Sequence, residues 1–222
     1  MQLDNRIRAT VTLAGLALVA IGITSAAAPA RQSGDVEMSE ISGDRGVPRR
    51  HFRLRDPAGL TPGEAERVYR IALNALAAGY AESGDPSARS YPDWRRYNSA
   101  PYLSATHGNH YVNNYANETA RAYGSGRRLP VGSIVAKDSF SVTESGGILL
   151  GPLFLMEKMP EGFNHVSGDW KYSMIQPDGT LFGETHGVGS QRVQYCIGCH
   201  LAVEGRDHLY FVPAEYRAKN TD

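Results

Sequence analysis

The sequence predicts an α+β fold: a mainly antiparallel β-sheet with N-terminal helices and one further helix near the C-terminus. Three observations predict it. A capped segment of helical period begins at Thr61. Consecutive strand-like runs with hairpin-type turns fill residues 131 to 182. Near the C-terminus, Cys196-Ile197-Gly198-Cys199-His200 sets two thiols and an imidazole at i, i+3 and i+4, on one side of a single helical turn.

The chain divides into residues 1–30, 31–60 and 61–222. Arg6 and Arg8 precede an apolar stretch from Val11 to Ile23, and Ser25-Ala26-Ala27-Ala28-Pro29-Ala30 offers small-residue cleavage sites, so the first segment reads as a signal peptide. About a dozen apolar residues are too few for a span, which needs about 20. No cysteine follows for lipid anchoring, and the expectation is a soluble periplasmic protein with no membrane span after cleavage. Residues 31–60 are polar, with scattered glycine and proline, and read as a linker or arm.

The first helix starts at the capping box Thr61-Pro62-Gly63-Glu64 and carries Val68, Ile71, Ala72, Ala75, Leu76 and Ala78 on one face, ending at Gly79 or Gly84. Residues 86–101 read as loop. Tyr111, Val112, Tyr115, Ala116, Thr119, Ala120 and Ala122 recur near helical spacing and predict a second helix over 107–123, stopped at Gly124. Residues 131–142 change period to a strand, with Ile134, Ala136, Phe140 and Val142 on one face and Val135, Lys137 and Ser139 on the other. Residues 148–158 form a long apolar run broken at Gly151-Pro152. Residues 170–175 and 180–182 flank the turn Gln176-Pro177-Asp178-Gly179. The last helix is expected from Tyr195 into residues 203–206, with Leu209, Tyr210 and Phe211 extended after it.

The 23 basic and 23 acidic side chains cancel, and no basic run offers a footprint for nucleic acid. Cysteine occurs only in the Cys196–Cys199 pair. Two thioethers there can hold the vinyl edge of a porphyrin while His200 is delivered beneath the iron, so C-x-x-C-H reads as covalent attachment of one haem c, with His200 the metal ligand. A thiol redox pair would sit early in a strand-helix unit. Structural zinc would need a fourth ligand, which only a lone His107, His110, His165, His186 or His208 could give. Met156, Met159 or Met174 could fill the sixth iron position, but methionine in a strand is more often core filler. His107 and His110 read as surface or hydrogen-bonding residues of the second helix, with entry of one of them into the distal pocket as the alternative.

The series Gly132-Ser133-Ile134-Val135-Ala136-Lys137, Met156-Glu157-Lys158-Met159, Gly168-Asp169-Trp170-Lys171-Tyr172, Pro177-Asp178-Gly179 and the haem motif with Asp207 after it resembles the cytochrome P-460 family over roughly residues 100 to 217. The resemblance implies a mainly antiparallel β fold, a five-coordinate c-type haem with His200 proximal, and a homodimer. It further implies oxidation of hydroxylamine, with electrons passing to a periplasmic acceptor cytochrome. By position, Lys137 is similar to the family's lysine joined to the porphyrin edge, and Glu204 to its proton-accepting glutamate. A related group, cytochrome c′-beta, binds nitric oxide without turnover. An electron-transfer cytochrome is the remaining alternative.

Overall fold

The computed structural model describes residues 57–219. The proposed signal peptide and all of the arm except 57–60 lie outside the described residues. The described end of the arm is docked: Pro57 bridges Thr143, and the Ala58 N–H donates to the Val142 carbonyl at 2.8 Å.

Helix α1 spans Pro62–Ala81 and begins as its sequence dictates. Thr61 caps the Glu64 N–H while the Glu64 carboxylate accepts from the Thr61 N–H at 2.8 Å. The buried seam, however, is Ala65, Tyr69, Ala72, Leu76 and Tyr80, and Ile71 is 72 % exposed. The tyrosines win the inward positions because their hydroxyls find buried acceptors, Tyr69 on Asp138 at 2.6 Å and Tyr80 on the Gly151 carbonyl at 2.6 Å. A short helix α2, Pro86–Ser90, follows where loop was expected. Asp85 caps it, accepting from the N–H groups of Ser87 and Ala88, and Pro86 supplies the preset first position.

The eight strands among the described residues are β1 Arg95–Arg96, β2 Tyr102–Ser104, β3 His110–Ala116, β4 Ile134–Val142, β5 Ile148–Leu150, β6 Leu153–Lys158, β7 Trp170–Ile175 and β8 Leu181–Glu184. They form one antiparallel sheet in the order β1-β3-β4-β6-β7-β8, with β2 also on β3 and β5 also on β4. The α+β class therefore holds, and the break at Gly151-Pro152 separates β5 from β6 as the sequence implied.

The helix expected over 107–123 is instead strand β3, entered through a short 3₁₀ turn at Ala105–His107 and followed by another at Glu118–Ala120. All seven β3 residues are buried. A central strand covered on both faces loses the apolar-polar alternation that would mark it, and its Tyr and Val content then imitates helical spacing. Its two asparagines are satisfied inside: Asn113 donates to Asp138 at 2.9 Å and Asn114 donates to the Tyr123 hydroxyl at 2.7 Å.

Two cores lie on opposite faces of the sheet. Seam residues of α1 pack with Tyr111, Tyr115, Ala136, Phe140 and Leu155 on one. Val112, Val135, Met156, Trp170 and Tyr172 pack with Ile197 of the C-terminal helix α3, Gln194–His200, on the other. Gly79 marks where α1 meets the β7–β8 turn, since a Cβ there would fall 1.9 Å from the Pro177 carbonyl oxygen. Gly79→Ala is expected to destabilise the domain by about 1–3 kcal/mol despite alanine's better helix propensity, read as a lower urea midpoint.

Candidate functional site

Strand alternation divides the chemistry of β4 between the two cores. Asp138 faces α1, and Lys137 faces α3. On the α3 face, register places Ala116, Val135, Met156 and Tyr172 on one rung and Asn114, Lys137, Phe154 and Met174 on the next.

Helix α3 carries Cys196, Cys199 and His200 within about one turn, as the spacing requires. Cys196 is half-buried, Cys199 is exposed and His200 is 8 % exposed. Burial pushes the Cys196 thiol up to about 12, so it is a protonated thiol at neutral pH. His200 stands edge-on to Tyr172 and to Tyr210, each at 5.3 Å between ring centroids. Its Nδ1 is hydrogen-bonded to the His208 carbonyl at 2.7 Å. As the donor in that bond, Nδ1 leaves Nε2 as the ring's lone-pair atom. Burial, followed by the Lys137 charge, pushes the imidazole down to about 4, against the opposing hydrogen bond to His208.

The α-helical turns end at His200, and the helical run continues in 3₁₀ form to Arg206, as the sequence implied. A 3₁₀ segment, Leu201–Arg206, breaks at Val203, and Asp207 and His208 both take left-handed backbone, at φ of 55° and 59°. That conformation is unfavourable for residues with a Cβ and persists where surrounding contacts hold it. Here it returns the His208 carbonyl to His200, and Lys158 holds it in place. The Lys158 ammonium meets Asp207 at 2.5 Å and the Gly168 carbonyl at 2.8 Å, and sits 4.9 Å from the centre of the Trp170 ring. The other Asp207 oxygen accepts from the Leu129 N–H at 2.8 Å.

Lys137 is buried, and its amine makes no hydrogen bond or ion pair with any described residue. Burial pushes it down to about 8. The Tyr172 hydroxyl and the Trp170 indole nitrogen are likewise buried with no partner among the described residues. Glu204 is exposed, on the rim of an open cavity of about 410 Å³ also lined by Lys158, His165, Asp169, Asp207 and His208. Neither Lys137 nor His200 lines that cavity. Met156 and Met174 are buried in the α3-side packing, where Met174 sulfur accepts the Tyr195 hydroxyl at 3.8 Å. Sequence reasoning quoted Lys158 without a role, offered Asp207 as a partner for Glu204 or a haem propionate rather than for Lys158, and missed the His208 carbonyl. A backbone acceptor has no residue-type signature.

A Cys-x-x-Cys-His helix packed on an antiparallel sheet, its histidine held through Nδ1, with buried polar atoms that lack a partner among the described residues on the face beneath, is a donor set that fits a haem. The family model for cytochrome P460 matches residues 88–211. The chain thus belongs to the cytochrome P460 family, and haem with its iron is the cofactor this membership implies. No curated protein matches the sequence. No helix among the described residues is long and apolar enough to cross a membrane.

Proposed function

We propose that the chain is a periplasmic cytochrome carrying one haem c on Cys196 and Cys199, with His200 as the iron ligand. In this reading it oxidises hydroxylamine or a related small nitrogen species and passes the electrons to an acceptor cytochrome. When bound, the haem supplies an open coordination position and a change of redox state. The remaining work falls to side chains of this chain.

The observation that carries the reading is Lys137. Its amine is buried one rung from Tyr172, which touches His200, and no described residue pairs with it. At a pKa of about 8, about one amine in ten is neutral at pH 7, against fewer than about one in a thousand for an ordinary lysine. A neutral amine facing the haem site is what attachment to a porphyrin edge requires. His200 is braced by His208 and flanked by two aromatic edges, which fixes its ring. Glu204, four residues beyond His200, is the proposed proton acceptor. A homodimer and export through the N-terminal segment complete the proposal.

The test is the ferric and reduced absorption spectrum of protein matured in a periplasm, with intact mass, for the natural chain and Lys137→Leu. Both should retain the mass of haem. The natural chain should show a strongly red-shifted reduced band that Lys137→Leu lacks. An ordinary high-spin spectrum in both would favour a nitric oxide binder, a reading supported by the apolar Phe154 and Met174 on the same rung as Lys137. A low-spin spectrum would favour electron transfer.

A further inference from the structure

The α1 face of the sheet, away from His200, carries its own cluster of titratable groups. Tyr69 on α1, Tyr91 just after α2 and Tyr115 on β3 are buried around Asp138 of β4. Tyr69 donates to the Asp138 carboxylate at 2.6 Å and Tyr91 donates to it at 3.3 Å. The Tyr69 hydroxyl is also hydrogen-bonded to that of Tyr115. With its own hydrogen committed to Asp138, Tyr69 is the acceptor in that second bond and Tyr115 the donor.

This arrangement meets the chemical requirement for drawing one electron from a phenol. The radical cation that electron loss alone would leave is repelled by the Arg96 guanidinium, 5.0 Å from the centre of the Tyr69 ring. The proton must therefore leave with the electron, and a carboxylate at 2.6 Å is placed to take it. Burial pushes Asp138 up to about 6, so it is ionised at neutral pH yet holds a proton more tightly than an ordinary carboxylate. The oxygen of the neutral phenoxyl radical keeps the hydrogen bond from Tyr115. The tyrosines beside His200 lack such a base. The Tyr172 hydroxyl has no partner among the described residues, and Tyr210 donates to the Cys199 carbonyl at 3.2 Å, an oxygen that takes up no proton at neutral pH. In covalent terms the cluster is near the haem face, because Asp138 and Lys137 are neighbours on β4 that point to opposite sides of the sheet.

We infer that Tyr69, with Asp138 as its proton acceptor, is a redox-active tyrosine that takes one oxidising equivalent when hydrogen peroxide reacts at the haem, and so spares the macrocycle and Lys137. Hydrogen peroxide accepts two electrons and two solvent protons and leaves as two waters. One electron comes from the ferric haem and the other from Tyr69, whose phenolic proton moves to Asp138. The inference rests on the haem-site reading given above.

The experiment adds hydrogen peroxide to the haem-loaded ferric protein, freezes the mixture and reads the tyrosyl signal by electron paramagnetic resonance, alongside the loss of haem absorbance. The natural protein should give a signal that Tyr69→Phe and Asp138→Asn reduce at least about tenfold, the scale of removing a positioned base from a proton transfer. Both variants should also lose haem absorbance faster. Tyr91→Phe and Tyr210→Phe should keep the signal. In deuterium oxide the natural protein should form it more slowly, a readout that needs no substitution. A signal unchanged in Tyr69→Phe, a signal lost in Tyr210→Phe, or a rate indifferent to deuterium would overturn the inference. Natural protein that oxidises hydroxylamine but yields no tyrosyl signal would overturn it too and leave the functional reading standing. Natural protein that carries haem and yields the Tyr69-dependent signal without oxidising hydroxylamine would sink the functional reading while supporting Tyr69.

Discussion

Replacing Lys158 with methionine is expected to cost about 3–5 kcal/mol of folding stability, the usual consequence of removing one partner from a buried ion pair. The Lys158 and Asp207 side chains are 2 % and 5 % exposed, so the carboxylate left behind would keep only the Leu129 N–H as a donor. Methionine keeps most of the stem that packs beside Trp170, so the loss reports the charge rather than a cavity. The effect extends to the site, because Asp207 and His208 hold left-handed backbone that an unpaired carboxylate would no longer stabilise. Once they relax, the His208 carbonyl moves away from His200 Nδ1. Urea unfolding of Lys158→Met should show the loss, and the double variant Lys158→Met with Asp207→Asn should recover about half or more of it. Asparagine suits the left-handed position and carries no charge to bury. A loss below about 1 kcal/mol would mean that the pair does not brace the loop.

What the sequence disclosed about this arrangement follows the range of each interaction. Thr61 to Glu64, Gln176 to Gly179 and Cys196 to His200 are local codes read within one turn of chain, and each element they announce is present. The second helix failed because β3 is buried on both faces, so Tyr111, Val112, Asn113 and Asn114 follow no amphipathic pattern. The inward face of α1 failed for a related reason. Tyr69 and Tyr80 look less apolar than Ile71 until Asp138 and the Gly151 carbonyl are brought beneath them by β4 and its neighbours. The Cys196–His200 turn was therefore legible from residues alone, whereas Lys137 was singled out only through resemblance. Its burial depends on β3, β6 and α3, which are distant in sequence and assembled by the sheet.

The same sheet makes the other large expected effect one of pH. Asp138 is fully buried on the α1 face, where Tyr69 donates to it at 2.6 Å, Asn113 at 2.9 Å and Tyr91 at 3.3 Å. Burial pushes its carboxyl up to about 6, against the hydrogen bonds of Tyr69 and Asn113 and the Arg96 charge. The folded state consequently holds this proton more tightly than the unfolded chain, whose carboxyl titrates near 3.8. Stability from this group is thus greatest below about pH 4 and is lost as pH rises through 6, a change of about 3 kcal/mol for a shift of about two pK units. Asp138→Asn has no proton to exchange. The stability of this variant relative to the natural protein should rise by about 3 kcal/mol between pH 4 and pH 7, measured by urea unfolding at each pH. Taking the difference cancels the titration of every other group. A difference independent of pH would show that the Asp138 carboxyl is ionised throughout, held so by its three donors. Because the Tyr69 and Tyr91 oxygens can accept from an amide, asparagine keeps the strand in register and Lys137 on its own face. The haem spectrum of Asp138→Asn should therefore match that of the natural chain even as the pH profile changes.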